Sequence, residues 1–313
     1  MSQAVAGTSI SREGINFQVI GSAGNRPIQA GEAESFRVGR GSVGYEYGLS
    51  TTEVTVSQYF QFVDAYGRVN QQYPDVSLLG RGIQLNSLAA SGYSVTPSLM
   101  QYSATMSWRN AARMCNWLHN GRRNEKWAFE SGAYDVSTFT ANPNGTVNDQ
   151  IARSAGAKFW IPSLDEWIKG AFYDPNRYGV SGDGYWQRPG GQNEYLVTGT
   201  PGLGGQTDAQ WNPNPALAPF VPVGSYPQVQ GPWGLLDVSG GEAEWTEARS
   251  GDSARQVLGS RRNDPFWALA DSISWIGDTL EPDFFAGFRI ATVPAPSSLA
   301  VFSMIVLFVR RRS

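Results

Sequence analysis

The chain has almost no cysteine or histidine. Its 313 residues include one cysteine, Cys115, and one histidine, His119. A single cysteine cannot form an internal disulfide, so cysteine usage does not indicate a redox compartment. A zinc site built from cysteine and histidine needs several such residues, and catalysis of the Ser-His-Asp or Cys-His type would depend on His119 alone. This limits the chemistry, although metal binding through oxygen ligands stays open.

Charged residues are also scarce. They make up 16% of the chain, below the roughly 25% typical of soluble domains, with a net charge of −3 and a pI near 5.3. No basic footprint for nucleic acid is present, so we expect no nucleic-acid partner. Glycine (36 residues) and tryptophan (11 residues) are abundant, which favours short strands, many turns and aromatic packing over a helical bundle.

The central part of the chain predicts one domain of short elements. Alternation predicts strands at residues 16–20 and 45–49. Apolar spacing predicts helices at residues 56–65, at 108–118 with Ser107 as N-cap, and at 163–171 with Ser163 and Glu166 as a capping box. Residues 67–97 carry little periodicity and are predicted to be a long insertion. Residues 173–211 are rich in Gly, Pro and Asn, and are predicted to be mainly loops.

The C-terminus differs in composition from the rest of the chain. Pro294 and Pro296 precede an apolar run at residues 299–309, and Arg310, Arg311 and Arg312 follow it. The run is shorter than the ~20 residues that a membrane-spanning helix needs, and a terminal strand or core helix is the alternative. The order resembles PEP-CTERM sorting tails, although Ala295 stands where the motif usually has Glu. The resemblance implies export, exosortase-type sorting machinery as a partner, and membrane association through the tail. No signal peptide is visible near residue 1, so we expect one upstream.

Five segments carry a second resemblance. They are residues 45–59 around Glu53-Val54-Thr55, residues 106–118 from Met106, residues 160–167 with Pro162 and Glu166, residues 222–246 with Glu244-Trp245, and residues 287–291 with Phe288-Arg289. In this order they resemble the sulfatase-modifying-factor family, whose founding members are formylglycine-generating enzymes. The resemblance implies an α+β, irregular, loop-rich fold related to C-type lectins, with few short helices and strands. It predicts a strand-containing lead-in at residues 1–44, the domain at 45–292 and the tail at 293–313.

The resemblance also implies a chemistry that this sequence does not retain. The family's enzymes bind copper through two cysteines and use oxygen to convert a sulfatase cysteine to formylglycine. The matching window here, residues 257–285, contains no cysteine. We therefore expect no copper and assign no catalytic residue. Cys115 lies in the apolar stripe of a predicted helix, where it is expected to pack as a small hydrophobe, and His119 is expected to have a structural or solvent-facing role at the helix end.

Calcium is a further expectation from the family, which holds it partly at a "Gly-Asn-Val-Trp-Glu-Trp" loop. The candidate ligands here are Gly240, Glu242 and Glu244, with Gly241 and Ala243 replacing the family's Asn and Trp. Ca²⁺ accepts flexible sets of oxygen ligands, so Glu242 is a candidate compensating carboxylate. The alternative is a solvated acidic turn. Arg289, opposite Phe288 in strand alternation, is predicted to form a structural salt bridge.

The leading hypothesis for function is a non-catalytic, exported and surface-anchored domain. Its role would be structural or would be to bind a polysaccharide or a protein. Candidate aromatic platforms are Tyr185, Trp186, Trp211 and Trp233, and the alternative is that these side chains pack the core. Two other hypotheses stay open: an oxidoreductase of the formylglycine-generating type with a non-standard metal site, and a purely structural surface component.

Overall fold

The computed structural model describes residues 7–32, 37–70, 74–143, 147–209, 221–250, 254–261, 273–277 and 286–294. Four α-helices lie in these ranges: α1 (Val56–Val69), α2 (Trp108–His119), α3 (Lys126–Glu130) and α4 (Leu164–Phe172). The strands are β1 (Ser9–Arg12), β2 (Ile15–Ile20), β3 (Tyr47–Ser50), β4 (Ile83–Leu85), β5 (Tyr93–Val95), β6 (Thr140–Ala141), β7 (Val147–Asn148), β8 (Phe159–Trp160), β9 (Tyr173–Asp174), β10 (Gly184–Tyr185), β11 (Ala243–Ser250), β12 (Ala254–Leu258), β13 (Ile273–Gly277), β14 (Ala286–Gly287) and β15 (Ala291–Thr292). This confirms the predicted α+β class with few short elements.

The larger sheet has the strand order β1-β2-β3-β15-β8 and is antiparallel throughout. It joins both ends of the described chain, because β15 pairs with β3 at Ala291 and Leu49. Ile15 and Phe17 of β2 point into the core by strand alternation and are 3% and 0% exposed. The N-terminal segment, predicted to be a lead-in, is thus an integral part of the main sheet.

The second sheet has the order β13-β12-β11-β14, and its β11–β14 pairing is parallel. Strand β11 directly follows the loop at residues 240–242 and contains Glu244 and Trp245. A register shift lies between Trp245 and Arg249 where β11 pairs with β12. Such a shift bends a strand locally. The sheet therefore places the loop before β11 beside β14 and the segment that leads to Arg289.

Local capping defines the longer helices. Thr55 caps α1 with Gln58 in a capping box, and α1 runs to Val69, beyond the predicted end. Ser107 caps α2 as predicted. Ser163 and Glu166 form the predicted capping box of α4, in which each side chain accepts a hydrogen bond from the other's backbone N–H. These caps satisfy helix N–H groups that have no partner within the helix.

The predicted long insertion at residues 67–97 is partly wrong. The segment contains the end of α1 and the β4–β5 hairpin, in which Ile83 pairs with Val95. Tyr93 of β5 is 2% exposed, and its ring lies 3.0 Å from where a Cβ on Gly67 of α1 would stand. Strands of three residues are too short to show a period in sequence. None of the helices in the described part of the chain has the length and apolar character that a bilayer crossing needs.

Candidate functional site

The loop that precedes β11 lies directly on buried carboxylates. Glu53 Oε1 accepts a hydrogen bond from the backbone N–H of Glu242 at 2.7 Å, and Asp208 Oδ1 accepts one from Gly241 at 2.8 Å. Gly241 has a φ of +63°, and a Cβ there would stand 2.5 Å from Glu53 Oε2. Glycine is needed at this position for both the backbone conformation and the close approach. The acidic loop is therefore packed into the domain rather than solvated.

Glu244 and Arg289 form an ion pair in which each residue is 1% exposed. Arg289 Nε donates to Glu244 Oε2 at 2.6 Å, and the terminal nitrogen donates to Oε1 at 2.5 Å. Trp167 Nε1 donates to the same Oε2 at 2.6 Å. The predicted salt bridge of Arg289 is confirmed. Its guanidinium also donates to the backbone carbonyls of Ser50 and Leu236, so it ties β3 to the segment before the loop.

Burial raises the pKa values of three neighbouring carboxyl groups. Burial raises the pKa of Glu242 to about 7, although its ion pair with Arg81 opposes the rise. The pKa of Glu53 lies well above its usual range because the group is buried and because Glu244 and Asp237 add like charge. Burial raises the pKa of Asp237 to about 6. Desolvation disfavours the charged form of each acid, so these groups hold protons more strongly than exposed carboxyls.

The predicted calcium ligands do not converge on a common point. Glu242 faces Arg81, and Glu244 faces Arg289 and Trp167. Nowhere in the described ranges do three His, Cys, Asp or Glu side chains form a group fit for a metal ion. As arranged here, the side chains do not fit a calcium site, because both carboxylate oxygens of Glu244 and one of Glu242 already accept hydrogen bonds from arginine guanidinium groups. Calcium at this loop gains no support from the geometry and stays a prediction.

The single cysteine and the single histidine both have structural surroundings. Cys115 is 0% exposed within α2, and burial raises the pKa of its thiol, which confirms the predicted packing role. His119 Nδ1 accepts a hydrogen bond from the backbone N–H of Lys158 at 3.1 Å, so this nitrogen is an acceptor. The adjacent Asn120 instead covers the helix end, since its Nδ2 donates to Asn116 O at 3.0 Å.

Two of the predicted aromatic platforms are buried, so for them that prediction is wrong. Tyr185 is 0% exposed and its hydroxyl donates to Gly41 O at 2.7 Å. Trp233 is 4% exposed and stacks on Tyr173 at a centroid distance of 6.5 Å. Packing against the N-terminal segment and β9 buries the two rings. Trp186 is half-buried, with its Nε1 donating to Asp174 at 3.1 Å.

The remaining predicted residues lie largely outside the described ranges. Trp211, Pro296, Arg310, Arg311 and Arg312 are outside them. Pro294 is described, and its backbone carbonyl accepts a hydrogen bond from Arg12 at 3.2 Å. The last described residues thus stay in contact with β1 at the edge of the main sheet.

A set of aromatic rings that lie beside arginines after α4 was not predicted from the sequence. Tyr178 is 64% exposed and Tyr195 is 43% exposed, and each has a guanidinium over its ring. Neither tyrosine lies in a recognisable motif. Tyr178 directly follows Arg177 in the sequence, whereas Tyr195 stands between Glu194 and Leu196, seven residues after the arginine that covers its ring. We call this set the Tyr178–Tyr195 surface; its members are Arg177, Tyr178, Trp186, Arg188, Asn193 and Tyr195.

Comparisons with known proteins agree on the family and the fold. The model of the sulfatase-modifying factor enzyme 1-like domain matches residues 19–291. Similar solved structures include CarF (18% identity, TM-score 0.50, covering 80% of this chain and 87% of that one). Treponema denticola variable protein 1 (16% identity, TM-score 0.52, 92% and 99% covered) and PvdO from Pseudomonas aeruginosa (14% identity, TM-score 0.51, 92% and 99% covered) are also similar. At these identities the structures support the fold alone, and no curated protein sequence matches the chain. The chain belongs to the sulfatase-modifying factor enzyme 1-like family.

Proposed function

We propose that this chain is a non-catalytic member of its family, exported and anchored at the cell surface, whose role is to bind a ligand there. The observation that carries the proposal is the position of its only thiol. Cys115 is 0% exposed inside α2, and it is the one cysteine among 313 residues. Copper chemistry of the family's type needs a pair of accessible thiolates, which are the soft ligands that Cu(I) prefers.

The buried acids do not supply a substitute catalytic group. Glu244 is neutralised by Arg289, and Glu242 is paired with Arg81. A general acid or base has to reach a substrate proton at hydrogen-bond distance. These carboxyls are 1% and 4% exposed and hold the loop in place. Their arrangement supports a scaffold that presents loops rather than a reaction centre.

Export and anchoring rest on the composition of the C-terminal tail. Strand β15 ends at Thr292, directly before the Pro, apolar and Arg segments. The test is expression of the chain behind a secretory signal peptide in a bacterium that contains exosortase, followed by fractionation and mass spectrometry of the C-terminal peptide. We expect envelope localisation that is lost when residues 293–313 are deleted. A full-length chain found only in the cytoplasm, with its tail intact, would contradict export.

The test of the non-catalytic role is the incubation of the purified domain with a cysteine-containing sulfatase-type peptide, copper and oxygen. Mass spectrometry then follows the conversion of the thiol to the aldehyde, with an active family member as positive control. We expect no aldehyde above the level of a protein-free sample. Conversion at a rate that depends on the protein would instead establish an oxidoreductase with a different metal site.

A further inference from the structure

We propose that the Tyr178–Tyr195 surface is the ligand site and that its ligand is a neutral polysaccharide. This inference rests on the binding role proposed above and gives that role a place and a ligand class. A pyranose ring has flat faces of C–H groups and a rim of hydroxyl groups. It is therefore recognised by exposed aromatic faces flanked by side chains that exchange hydrogen bonds.

The first half of the surface is a stack around Arg177. Its guanidinium carbon lies 4.8 Å from the ring centroid of Tyr178 and 5.0 Å from that of Trp186. The arginine side chain is 6% exposed and lies 3.5 Å from Glu32. Cation–π contact of this kind holds a ring in place from one side. Because Tyr178 is nonetheless 64% exposed, much of its ring surface is accessible to a ligand.

The second half repeats the arrangement in the next loop. The guanidinium carbon of Arg188 lies 4.2 Å from the ring centroid of Tyr195. An antiparallel β-bridge between Arg188 and Gln192 closes the loop at residues 188–192. The rings of Tyr178 and Tyr195, in adjacent loops, are thus each held by an arginine guanidinium. A binding surface that is fixed in advance loses less conformational entropy when its ligand binds.

Asn193 joins the two halves. Its Oδ1 accepts hydrogen bonds from Arg177 at 3.2 Å and from the backbone N–H of Gln187 at 3.3 Å. The residue is exposed, and its hydrogen bonds to other described residues are both accepted by Oδ1, so Nδ2 donates to none of them. The amide therefore offers a donor beside Arg177, which covers the ring of Tyr178, and it stands two residues before Tyr195 in the chain.

The charges on this surface favour a neutral ligand. Glu32 lies beside Arg177 and also pairs with Arg26, whose guanidinium pairs with Asp183 as well. Arg188 lies in a loop that also contains the exposed Glu194. Three acids thus stand beside three arginines. A surface built for an acidic polymer would show an excess of cations. A stacking and hydrogen-bonding site without net charge matches an uncharged glycan chain.

A protein ligand would use a different part of the same region. Val180, Val197 and Leu203 are 96%, 58% and 89% exposed, and apolar side chains of this kind form the centre of protein interfaces. Aliphatic groups do not offer a flat face to a sugar ring. The two ligand classes can therefore be distinguished by which side chains matter.

The experiment is affinity electrophoresis of the purified domain in native gels that contain hydroxyethylcellulose, galactomannan or dextran, with alginate as the charged comparison. The test variant is Tyr178→Ala/Tyr195→Ala. The double Phe variant keeps both rings, Leu203→Ser removes an aliphatic group from the same region, and Trp127→Ala removes a 46% exposed ring elsewhere. Far-ultraviolet circular dichroism and a urea midpoint establish that each variant is folded.

We expect at least one neutral glycan to retard the native domain. The affinity for that glycan should fall at least about tenfold in the Ala double variant and stay unchanged in the Phe double variant, Leu203→Ser and Trp127→Ala. Equal retardation of the Ala variant would overturn the site and leave a binding role in place. Retardation by none of the three neutral glycans would overturn the ligand class. Binding of a protein partner to the native domain, with that binding lost in both the Ala double variant and Leu203→Ser, would also overturn the glycan as the ligand class. The non-catalytic role is tested separately, by aldehyde formation on the sulfatase-type peptide. A negative result with the glycans is therefore distinguishable from a failure of the non-catalytic role.

Discussion

Replacing Arg289 by methionine tests whether the buried ion pair with Glu244 organises the domain. The substitution keeps a long, unbranched side chain and removes the charge. After the substitution, Trp167 is the remaining side-chain donor to the Glu244 carboxylate, and Glu244 is only 1% exposed. It also removes hydrogen bonds to the carbonyls of Ser50 and Leu236, at 3.1 Å each.

The expected loss is large relative to the stability of a typical domain. Removing one partner of a buried ion pair costs about 3–5 kcal/mol because the other charge is left without compensation. Native proteins are stable by only about 5–15 kcal/mol in total. The exposed pair of Arg68 with Asp64, at 2.8 Å and four residues apart on α1, provides the matched control. Arg68→Met should leave the urea midpoint almost unchanged, because water screens an exposed ion pair.

The assay is urea unfolding followed by tryptophan fluorescence, with the free energy taken from linear extrapolation. The double variant Arg289→Met/Glu244→Gln should recover much of the loss, because no buried charge then lacks a partner and the amide can still accept from Trp167. Should Arg289→Met fail to fold, Arg289→Lys keeps the charge and gives a measurable intermediate loss. A loss for Arg289→Met no greater than that of Arg68→Met would show that the buried ion pair does not organise the domain.

Three other predictions concern single groups. Burial raises the pKa of Glu247 to about 7, so between its unfolded value of about 4.3 and 7 the folded state binds more protons than the unfolded state. Stability should therefore fall as pH rises through this window, and Glu247→Gln should flatten that fall when urea midpoints are compared across it. Ser163→Ala should cost about 1 kcal/mol in the same urea assay, since the hydroxyl caps α4, and an unchanged midpoint would contradict that role. Cys115 should not react with a thiol reagent in the native protein and should react fully in urea; a fast native reaction would show that it is accessible.

The three longer helices α1, α2 and α4 could be predicted from sequence because their determinants are local, whereas the five-residue α3, which has no side-chain cap, was not predicted. Ser107 and Ser163 stand directly before the apolar period of α2 and α4, and Glu166 completes the capping box three residues after Ser163. The α+β class followed from the family resemblance and agreed with the glycine-rich composition. By contrast, the β4–β5 hairpin has strands of three residues and shows no period.

The site depended on contacts that are far apart in the chain. Glu53 and the backbone of Glu242 are 189 residues apart, and no spacing rule connects them. Likewise, an aromatic residue in a glycine-rich loop looks the same in sequence whether it is buried or exposed. Tyr185 is buried because Asn25 and Gly41 of the N-terminal segment fold over its hydroxyl, whereas Tyr178 in the same hairpin stays exposed.

The most direct test of the central claim, a family fold without its thiolate chemistry, is a Cu(I) competition titration. The protein competes anaerobically with a chromogenic Cu(I) chelator, beside an active family member and the Cys115→Ala variant. We expect the chain to leave the copper with the chelator and Cys115→Ala to behave identically. Withdrawal of one equivalent of Cu(I) by the native chain would contradict the claim, and loss of that binding in Cys115→Ala would identify the ligand.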